Sequence, residues 1–332
     1  AWAHSSCMSN AVGESVLLSD DPPLDLRLSD DELKATHDRI VSFIEEMVSD
    51  AGASGAVLGL SGGIDSTLTA YLAVEALGAD GLHGLTMPSA VNNPDVMSDA
   101  ERVATDLGIE YDIVEIQPIA ESFFEALPSA AENRMAKGNV FVRTRAVCNY
   151  FVANAENRIV LGTGNRAEAM TGYYTKYGDQ AVDCNPIGNL YKQQVRQLAA
   201  YAGVPHDLVM QEPTAGMWTG QTDQSEMGLD YDTVDAILAV HVDGGLSRSA
   251  TVRELGVSET AVERVVEILH TLALPVSQLF QLLAHSVIAV LQHNVNIPHA
   301  LNAVSSYHYI PRIWVSLERC SGHRHGLLRR YG

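Results

Sequence analysis

The residues with the clearest chemical potential form a serine- and glycine-rich turn between a predicted strand and a predicted helix. The apolar run over residues 56–60 predicts a buried strand, and a helix is expected from about residue 64. Glycines let the backbone of such a turn approach a ligand closely, and the first N–H groups of the helix favour an anion. We expect a phosphate-binding loop made of Gly59, Leu60, Ser61, Gly62, Gly63, Ile64, Asp65 and Ser66.

Asp65 adds a negative charge to this loop, and a bare phosphate would be repelled by it. A magnesium ion held between the carboxylate and phosphate oxygens would reconcile the two charges. The sequence matches neither the GxxxxGKS/T pattern of a P-loop nor the GxGxxG pattern of a dinucleotide fingerprint. The competing interpretation is an ordinary strand-to-helix turn. Ser-Gly-Gly-x-Asp-Ser directly after an apolar strand favours the nucleotide site.

The elements that must position this loop alternate between strand and helix. Short apolar runs predict strands near residues 56–60, 82–87, 111–116 and 158–162, and helical spacing of apolar residues fills most of the chain between them. This alternation predicts an α/β fold: a Rossmann-like parallel sheet with helices on both faces, followed by a helical C-terminal region. Ligands of such sheets bind at the carboxyl ends of the strands, where the serine–glycine loop is expected.

Further motifs along the chain share glycine, charged residues and threonine in loops that follow predicted strands or helices. They occupy residues 137–145, 162–168, 172–179, 186–192 and 212–228. With the serine–glycine loop, these segments closely resemble the NAD synthetase family, and specifically its ammonia-dependent archaeal type. That family lies within the ATP pyrophosphatase, or PP-loop, superfamily, whose fold is described as adenine nucleotide alpha hydrolase-like. The resemblance runs from about residue 30 to residue 269.

The resemblance implies an ATP-dependent amidation. The nicotinate carboxylate of deamido-NAD attacks ATP to give an adenylate and pyrophosphate, and ammonia then displaces AMP to form NAD. Nothing in the printed sequence resembles a glutamine amidohydrolase domain, so free ammonia is the expected nitrogen donor. The family resemblance also implies Mg²⁺, a homodimer, and a dinucleotide site near the dimer interface.

The resemblance assigns roles to individual positions of this sequence. Asp65 and Glu168 are expected to hold Mg²⁺, and Asp179 to capture ammonium and accept its proton. The expected ATP ligands beyond the loop are Thr163, Lys192 and Thr214. The expected deamido-NAD ligands are Arg143, Lys176 and Asp183.

The sequence also leaves two alternative functions open. Another ATP pyrophosphatase, such as a tRNA-modifying or GMP synthetase-like ligase, shares the serine–glycine loop, but a catalytic cysteine pair and a basic tRNA surface are missing. Residues 252–263 have the sequence shape of a helix-turn-helix DNA-binding motif. Its second helix carries Glu259, Glu263 and Glu267, which would repel phosphate, so a structural helical hairpin is favoured.

The amino-acid composition indicates which binding partners and which cellular environment to expect. A formal net charge of −20 disfavours nucleic acid and anionic membranes as partners. Only four basic residues are lysine, and few lysines under a heavy acidic excess is typical of halophilic proteins. The four scattered cysteines predict no disulfide framework, and no apolar run of about 18 residues predicts a spanning helix. With no apolar signal core in residues 1–10, we expect a cytoplasmic enzyme.

The charge also divides the chain. Residues 271–332 hold five arginines, one glutamate and six of the 12 histidines, so the acidic excess lies entirely before them. We therefore predict an N-terminal extension over residues 1–28, the synthetase domain over residues 29–270, and an atypical basic tail over residues 271–332. The tail is a small added domain, a basic interaction arm, or sequence foreign to the ancestral fold, and we favour the last.

Overall fold

The computed structural model describes residues 22–89, 94–211, 213 and 222–269, with the backbone alone for residues 94–98. The described residues as far as Ile268 form one compact unit. The predicted tail over residues 271–332 lies outside the described residues, and so does the part of the predicted N-terminal extension before residue 22.

Strands and helices alternate along the described chain, as the apolar pattern predicts. The strands are β1 Ala56–Leu60, β2 Leu82–Thr86, β3 Glu110–Ile113 and β4 Ile159–Leu161. The helices are α1 Asp30–Asp50, α2 Ile64–Leu77, α3 Pro94–Leu107, α4 Gln117–Ala126, α5 Arg134–Glu156, α6 Arg166–Thr171, α7 Lys192–Tyr201, α8 His206–Val209, α9 Asp223–Met227, α10 Tyr231–Ile237, α11 Arg248–Leu255 and α12 over residues 259–269. A π-helical stretch, Leu238–Asp243, continues α10.

The strands form one parallel sheet in the order β3–β2–β1–β4. Leu58 of β1 lies opposite Gly84 of β2 on one side and Leu161 of β4 on the other. The sheet confirms the predicted parallel α/β architecture. Because β1 is central, the loop that follows it opens at the middle of the carboxyl edge, where ligands of this architecture bind.

Both faces of the sheet are covered, and consecutive residues of β1 show how. Leu58 belongs to an apolar cluster that includes buried residues of α1, α2 and α7. Its neighbour Val57 belongs to a second cluster with Phe141 and Ala153 of α5. Because successive side chains of a strand point to opposite faces, a strand buried on both sides reads as a continuous apolar run.

Helix α1 begins with a capping box, in which the Ser29 backbone N–H donates to Glu32 Oε2 at 3.0 Å. The extended residues before it contact α7 through side-chain amides. Gln193 accepts from the Leu26 N–H at 3.0 Å, and Gln197 accepts from the Leu28 N–H at 2.8 Å. The division at residue 29 stays a prediction, but Leu24, Leu26 and Leu28 all hydrogen-bond to side chains of α7.

The residues with a helix-turn-helix pattern form a helical hairpin of α11 and α12. Gly256 makes the turn with a φ of 66°, and Val262 and Val265 of α12 are fully buried. Glu259, Glu263 and Glu267 are exposed. The hairpin therefore packs on the body through its apolar residues and turns acidic ones to solvent. Among the helices of the described ranges, none is long and apolar enough to cross a membrane.

Candidate functional site

The loop between β1 and α2 is shaped by its own serines. Gly62 has a φ of 80°, a left-handed conformation that glycine adopts without strain. The Ser66 hydroxyl donates to the Gly63 carbonyl at 3.0 Å and lies 3.0 Å from the Ser61 hydroxyl, which accepts from the Gly63 N–H. The two serines predicted to contact phosphate thus also fix the loop, with Ser66 buried and Ser61 exposed.

Lys192, the first residue of α7, brings the two predicted metal ligands together. Its Nζ donates to Asp65 Oδ2 at 2.5 Å and lies 3.8 Å from Glu168 Oε1. Asn165 holds the same group from the loop after β4, because its amide donates to Asp65 Oδ1 at 3.1 Å. It also forms a capping box with Glu168 at the start of α6. Three loops at the carboxyl edge therefore converge on one cluster.

The charges of this cluster explain its titration. Burial, followed by the negative charge of Asp65, raises the pKa of Glu168 well above its usual range. Burial alone would lower the pKa of Lys192, but the charges of Asp65 and Glu168 outweigh it and raise that pKa. Lys192 therefore stays a cation, and it balances one of the two carboxylates with which it is in contact.

The donor set fits a magnesium ion bound together with phosphate. Asp65 and Glu168 offer hard oxygen ligands, and the raised pKa of Glu168 shows a site that a second positive charge would stabilise. Within the described ranges, no group of three or more aspartate, glutamate, histidine or cysteine side chains is arranged to hold a metal ion. A metal at this pair would need oxygens from phosphate and water, which is how Mg²⁺ is commonly bound.

Thr163 lies in the loop between β4 and α6, beside a point where the chain packs very closely. A Cβ on Gly162 would lie 2.1 Å from Asn185 Oδ1, so a larger residue there would force the Asn185 side chain to move. Thr163 is half-buried and shares its loop with Asn165. Thr214, the third predicted ATP ligand outside the serine–glycine loop, lies outside the described residues.

A second group collects around the segment that follows α6. The Arg143 Nε of α5 donates to the Lys176 carbonyl at 3.2 Å, so two predicted deamido-NAD ligands are neighbours. Lys176 Nζ lies 5.0 Å from the ring centroid of Tyr177, which is 72% exposed and has a φ of 60°. A non-glycine residue held in this region stores strain, which is concentrated at functional sites.

Asp179 makes a hydrogen bond within this same segment after α6. Its Oδ1 accepts from the Thr175 N–H at 2.7 Å, and Thr175 in turn donates to Asn139 Oδ1 at 2.9 Å. Although Asp179 is exposed, surrounding protein atoms partly desolvate its carboxyl group and raise its pKa to about 6. Backbone hydrogen bonds from Thr175 and from residues 179 and 180 act in the opposite direction.

Asp183 is fixed at the edge of the sheet. Its Oδ2 accepts from the Val160 N–H of β4 at 2.7 Å, and its Oδ1 accepts from the Tyr150 hydroxyl of α5 at 3.2 Å. These bonds orient an exposed carboxylate without burying it. The predicted deamido-NAD ligands thus lie on α5 and on the two segments that pack against it.

Several side chains at the site are ones that motif reasoning missed. Asn165 has a local signal, because Asn-x-x-Glu is a capping-box pattern. Tyr231 of α10 has none: Lys192 Nζ lies over its ring, and its hydroxyl donates to Asp223, which lies in the predicted motif over residues 212–228 but was assigned no role. Lys192 and Tyr231 are far apart in the chain, so no spacing rule predicts their contact.

The sequence also matches a family of known proteins. A family model described as NAD synthase matches residues 36–273. The chain is 64% identical over 243 residues to the NH(3)-dependent NAD(+) synthetase of Halobacterium salinarum, covering 73% of this chain and 91% of that protein. It is 44% identical over 234 residues to the enzyme of the same name from Thermococcus kodakarensis, covering 70% of this chain and 91% of that one.

Solved structures are similar over the same part of the chain. An NMN synthetase from Francisella tularensis has a TM-score of 0.64 at 36% identity, over 72% of this chain and 93% of that one. An NH3-dependent NAD synthetase from Campylobacter jejuni, in complex with the nitrate ion, has a TM-score of 0.60 at 29% identity with the same coverages.

Proposed function

The chain belongs to the NAD synthase family, and from that premise we propose that it makes NAD by amidating deamido-NAD with ammonia, in a reaction driven by ATP. The products besides NAD are AMP and pyrophosphate. The observation that carries the proposal is the Lys192 ammonium in contact with Asp65 and beside Glu168, at the end of the central strand and next to a serine–glycine loop.

The first half-reaction brings a carboxylate to a triphosphate, so it depends on positive charge and N–H donors. The N-terminus of α2 and the Ser61 hydroxyl face the pyrophosphate end of ATP, and the Lys192 ammonium balances its negative charge. Asp65 and Glu168 would hold Mg²⁺, which supplies further positive charge to phosphate oxygens when bound. Thr163 and Thr214 complete the proposed ATP ligands.

The second half-reaction needs a neutral nucleophile. Asp179 binds ammonium through its ionised carboxylate and accepts a proton from it, so that ammonia attacks the carbonyl carbon of the adenylate. AMP then leaves with one oxygen of the former carboxylate. Arg143, Lys176 and Asp183 hold the dinucleotide while both steps take place, since they lie together around α5 and the segment that carries Asp179.

The experiment that tests this proposal supplies ATP, Mg²⁺, deamido-NAD and ammonium, and measures NAD, AMP and pyrophosphate. We expect the three products in equal amounts. Glutamine replaces ammonium in one arm and should give little NAD. Nicotinate mononucleotide replaces deamido-NAD in another, because the Francisella tularensis relative is named as an NMN synthetase. Preferred amidation of the mononucleotide would contradict the proposed substrate.

Two variants connect the activity to the cluster. Asp65→Asn and Glu168→Gln each keep the size of the side chain and remove a negative charge next to Lys192. We expect pyrophosphate release to fall by a factor of about 100 or more, as for other losses of a transition-state contact. Near wild-type release by both variants would show that the metal site lies elsewhere.

The exposed face of α5 supports a homodimer. Phe151 is 77% exposed and Val147 is 68% exposed, and the two lie one helical turn apart on the same stripe as Arg143. Apolar side chains exposed this far mark an interaction surface when they are contiguous. A second copy is the proposed occupant, because the stripe continues directly into a proposed deamido-NAD ligand.

The division of the chain remains part of the proposal. The family match ends at residue 273, close to the point where the composition changes at residue 271. This supports a synthetase domain over residues 29–270 and a tail over residues 271–332 that the chemistry does not use. Removing residues 277–332 should leave NAD formation unchanged, and a loss of activity would make the tail part of the enzyme.

A further inference from the structure

Lys192 has a third neighbour besides the two carboxylates. Its Nζ lies over the ring of Tyr231, 5.0 Å from the ring centroid, and the lysine side chain is only 2% exposed. A cation over the face of an aromatic ring is attracted by the ring quadrupole, and more strongly where water is excluded. The ammonium is therefore held by a neutral aromatic face as well as by Asp65.

The Tyr231 ring is itself fixed at both ends. Its backbone opens α10, where the Asp230 side chain caps the helix by accepting from the Thr233 N–H at 2.8 Å. Its hydroxyl donates to Asp223 Oδ2 at 2.9 Å, and both Tyr231 and Asp223 are buried. A ring anchored in this way cannot turn its face away from the lysine without breaking a buried hydrogen bond.

Asp223 connects this ring to the other side of the cluster. Its Oδ1 lies 3.1 Å from the Tyr173 hydroxyl, which is also 2.7 Å from Glu226 Oε2 and can donate to either carboxylate. The Tyr173 backbone N–H donates to the Glu168 carbonyl at 3.0 Å. Contacts therefore run from Lys192 through Tyr231, Asp223 and Tyr173 back to Glu168.

Both phenols keep their protons throughout the working range of pH. Burial, followed by the negative charges of neighbouring carboxylates, raises the pKa of Tyr231 and of Tyr173 far above that of free tyrosine. The two hydroxyls therefore remain donors, and the Tyr231 ring remains neutral.

We propose that Tyr231 is a positioning residue for the adenylation step. Its ring holds the Lys192 ammonium at the place where the pyrophosphate leaves ATP. Nothing in the motifs or in the family resemblance assigns this role to it. The inference deepens the proposed function and rests on it, since it assumes that Lys192 contacts the phosphates of ATP. Without the ring, the Lys192 ammonium would still bind Asp65, but the aromatic face that restricts its position would be gone.

A spectroscopic test follows from the rarity of lysine in this chain. The four lysines are Lys34, Lys137, Lys176 and Lys192, so protein labelled with carbon-13 at the lysine Cε gives four signals. The Lys192 signal, identified by its absence in Lys192→Arg, should be shifted by the ring current of Tyr231. The shift should persist in Tyr231→Phe and disappear in Tyr231→Leu. This readout needs neither substrate nor activity.

The kinetic test measures pyrophosphate release as ATP is varied at saturating deamido-NAD. Tyr231→Leu should release pyrophosphate roughly 10-fold more slowly than wild type, with KM for ATP changed by no more than about twofold, because a transition-state contact is lost. Tyr231→Phe loses the bond to Asp223 but keeps the ring, so its rate should stay within about threefold of wild type.

Tyr191→Phe is the matched control. Tyr191 precedes Lys192, is buried, and hydrogen-bonds to the carboxylate of Asp243. Tyr191→Phe therefore removes a buried, carboxylate-bonded hydroxyl, as Tyr231→Phe does. It should lower the melting temperature without slowing pyrophosphate release. If Tyr231→Leu shows no slower release than this control, or Tyr231→Phe is as slow as Tyr231→Leu, the ring does not position Lys192.

Failure of this inference is distinct from failure of the proposed function. A wild-type chain that forms no NAD would remove the function, whatever the lysine spectrum shows. A wild-type chain that forms NAD, but whose Lys192 signal is the same in Tyr231→Leu, would overturn the role of Tyr231 alone.

Discussion

The carboxyl group of Asp179 lies at the surface, yet the protein around it holds its pKa at about 6. Above that pH the group is ionised and can bind ammonium, and below it the group is protonated and cannot. The wild-type rate of amide formation should therefore fall as the pH drops through about 6.

Asp179→Asn should slow amide formation at neutral pH more than it slows pyrophosphate release, because the adenylate forms before ammonia is needed. The variant should lose the fall near pH 6, and its rate should follow the concentration of free ammonia as the pH rises. The two half-reactions are measured separately, as pyrophosphate and as NAD. Equal loss of both at every pH would instead mean that Asp179 supports the segment or positions the substrate.

Asp235 is a fully buried carboxyl group that contacts the start of α7, where its Oδ2 accepts from the Gln193 N–H at 3.2 Å. Burial raises its pKa to about 7. The folded chain therefore binds a proton that the unfolded chain releases near pH 4, so stability falls as the pH rises through about 4 to 7.

Asp235→Asn keeps the acceptor for Gln193 and removes this cost. We expect the variant to be more stable than wild type by up to about 4 kcal/mol at about pH 8, because the pKa is raised by about three units, and nearly equal to it at about pH 4. Thermal unfolding of both proteins at the two pH values measures the difference. The same difference at both values would show that the effect is not linked to this proton.

The site residues that the sequence predicts are those that lie in contiguous motifs. The sequence predicts Asp65 and Glu168 as metal ligands and Lys192 as an ATP ligand, and the structure brings the three side chains within contact distance. Tyr231 was missed because its contact with Lys192 depends on how α10 packs against α7, which no local pattern encodes. The roles of the predicted residues stay proposals.

Helix α5 carries both the Arg143 end of the proposed dinucleotide site and an exposed apolar stripe. Phe151→Asp places a charge on this stripe without touching the sheet. We expect the variant to sediment as a monomer where the wild type sediments as a dimer, and to bind deamido-NAD more weakly. Sedimentation velocity and equilibrium binding measure the two effects.

Glu125→Gln on α4 is the control for this surface. Glu125 is exposed and lies outside α5, so its substitution should change neither the mass in solution nor the affinity for deamido-NAD. A wild-type chain that sediments as a monomer while forming NAD would contradict the proposed pairing.

The strands and most helices were predictable because buried parallel strands are continuous apolar runs and because glycines bound them. The start of α5 at Arg134 does not follow from apolar spacing. Its first turn lacks apolar spacing and is instead capped by Asn133, whose Oδ1 accepts from the Ala136 N–H at 3.0 Å. Strand β3 ends at Ile113, earlier than expected, at the edge of the sheet.

At the scale of the whole molecule, the acidic excess should make stability depend on salt. The formal charge of −20 includes Asp30, Asp31 and Glu32 in the first turn of α1, where they lie close together. Raising KCl from dilute buffer to about 1 M shortens the Debye length to about 3 Å and screens this repulsion. We expect the melting temperature to rise markedly over that range.

A neutral osmolyte separates screening from a general effect on burial. Sucrose strengthens the folded state by exclusion from the surface and does not screen charge. Sucrose at matched osmolality should therefore stabilise the chain much less than KCl. A melting temperature that is unchanged by KCl, or raised equally by sucrose, would remove the halophilic interpretation.

In the proposed reaction, the carboxylate of deamido-NAD attacks the α-phosphorus of ATP in the site around Asp65 and Lys192. Oxygen-18 in both carboxylate oxygens of deamido-NAD follows this step directly, because AMP keeps one of them when ammonia displaces it. We predict that the AMP formed with NAD carries one oxygen-18 atom and that the pyrophosphate carries none. Unlabelled AMP formed together with NAD, or label in pyrophosphate or phosphate, would rule out attack of the deamido-NAD carboxylate on ATP.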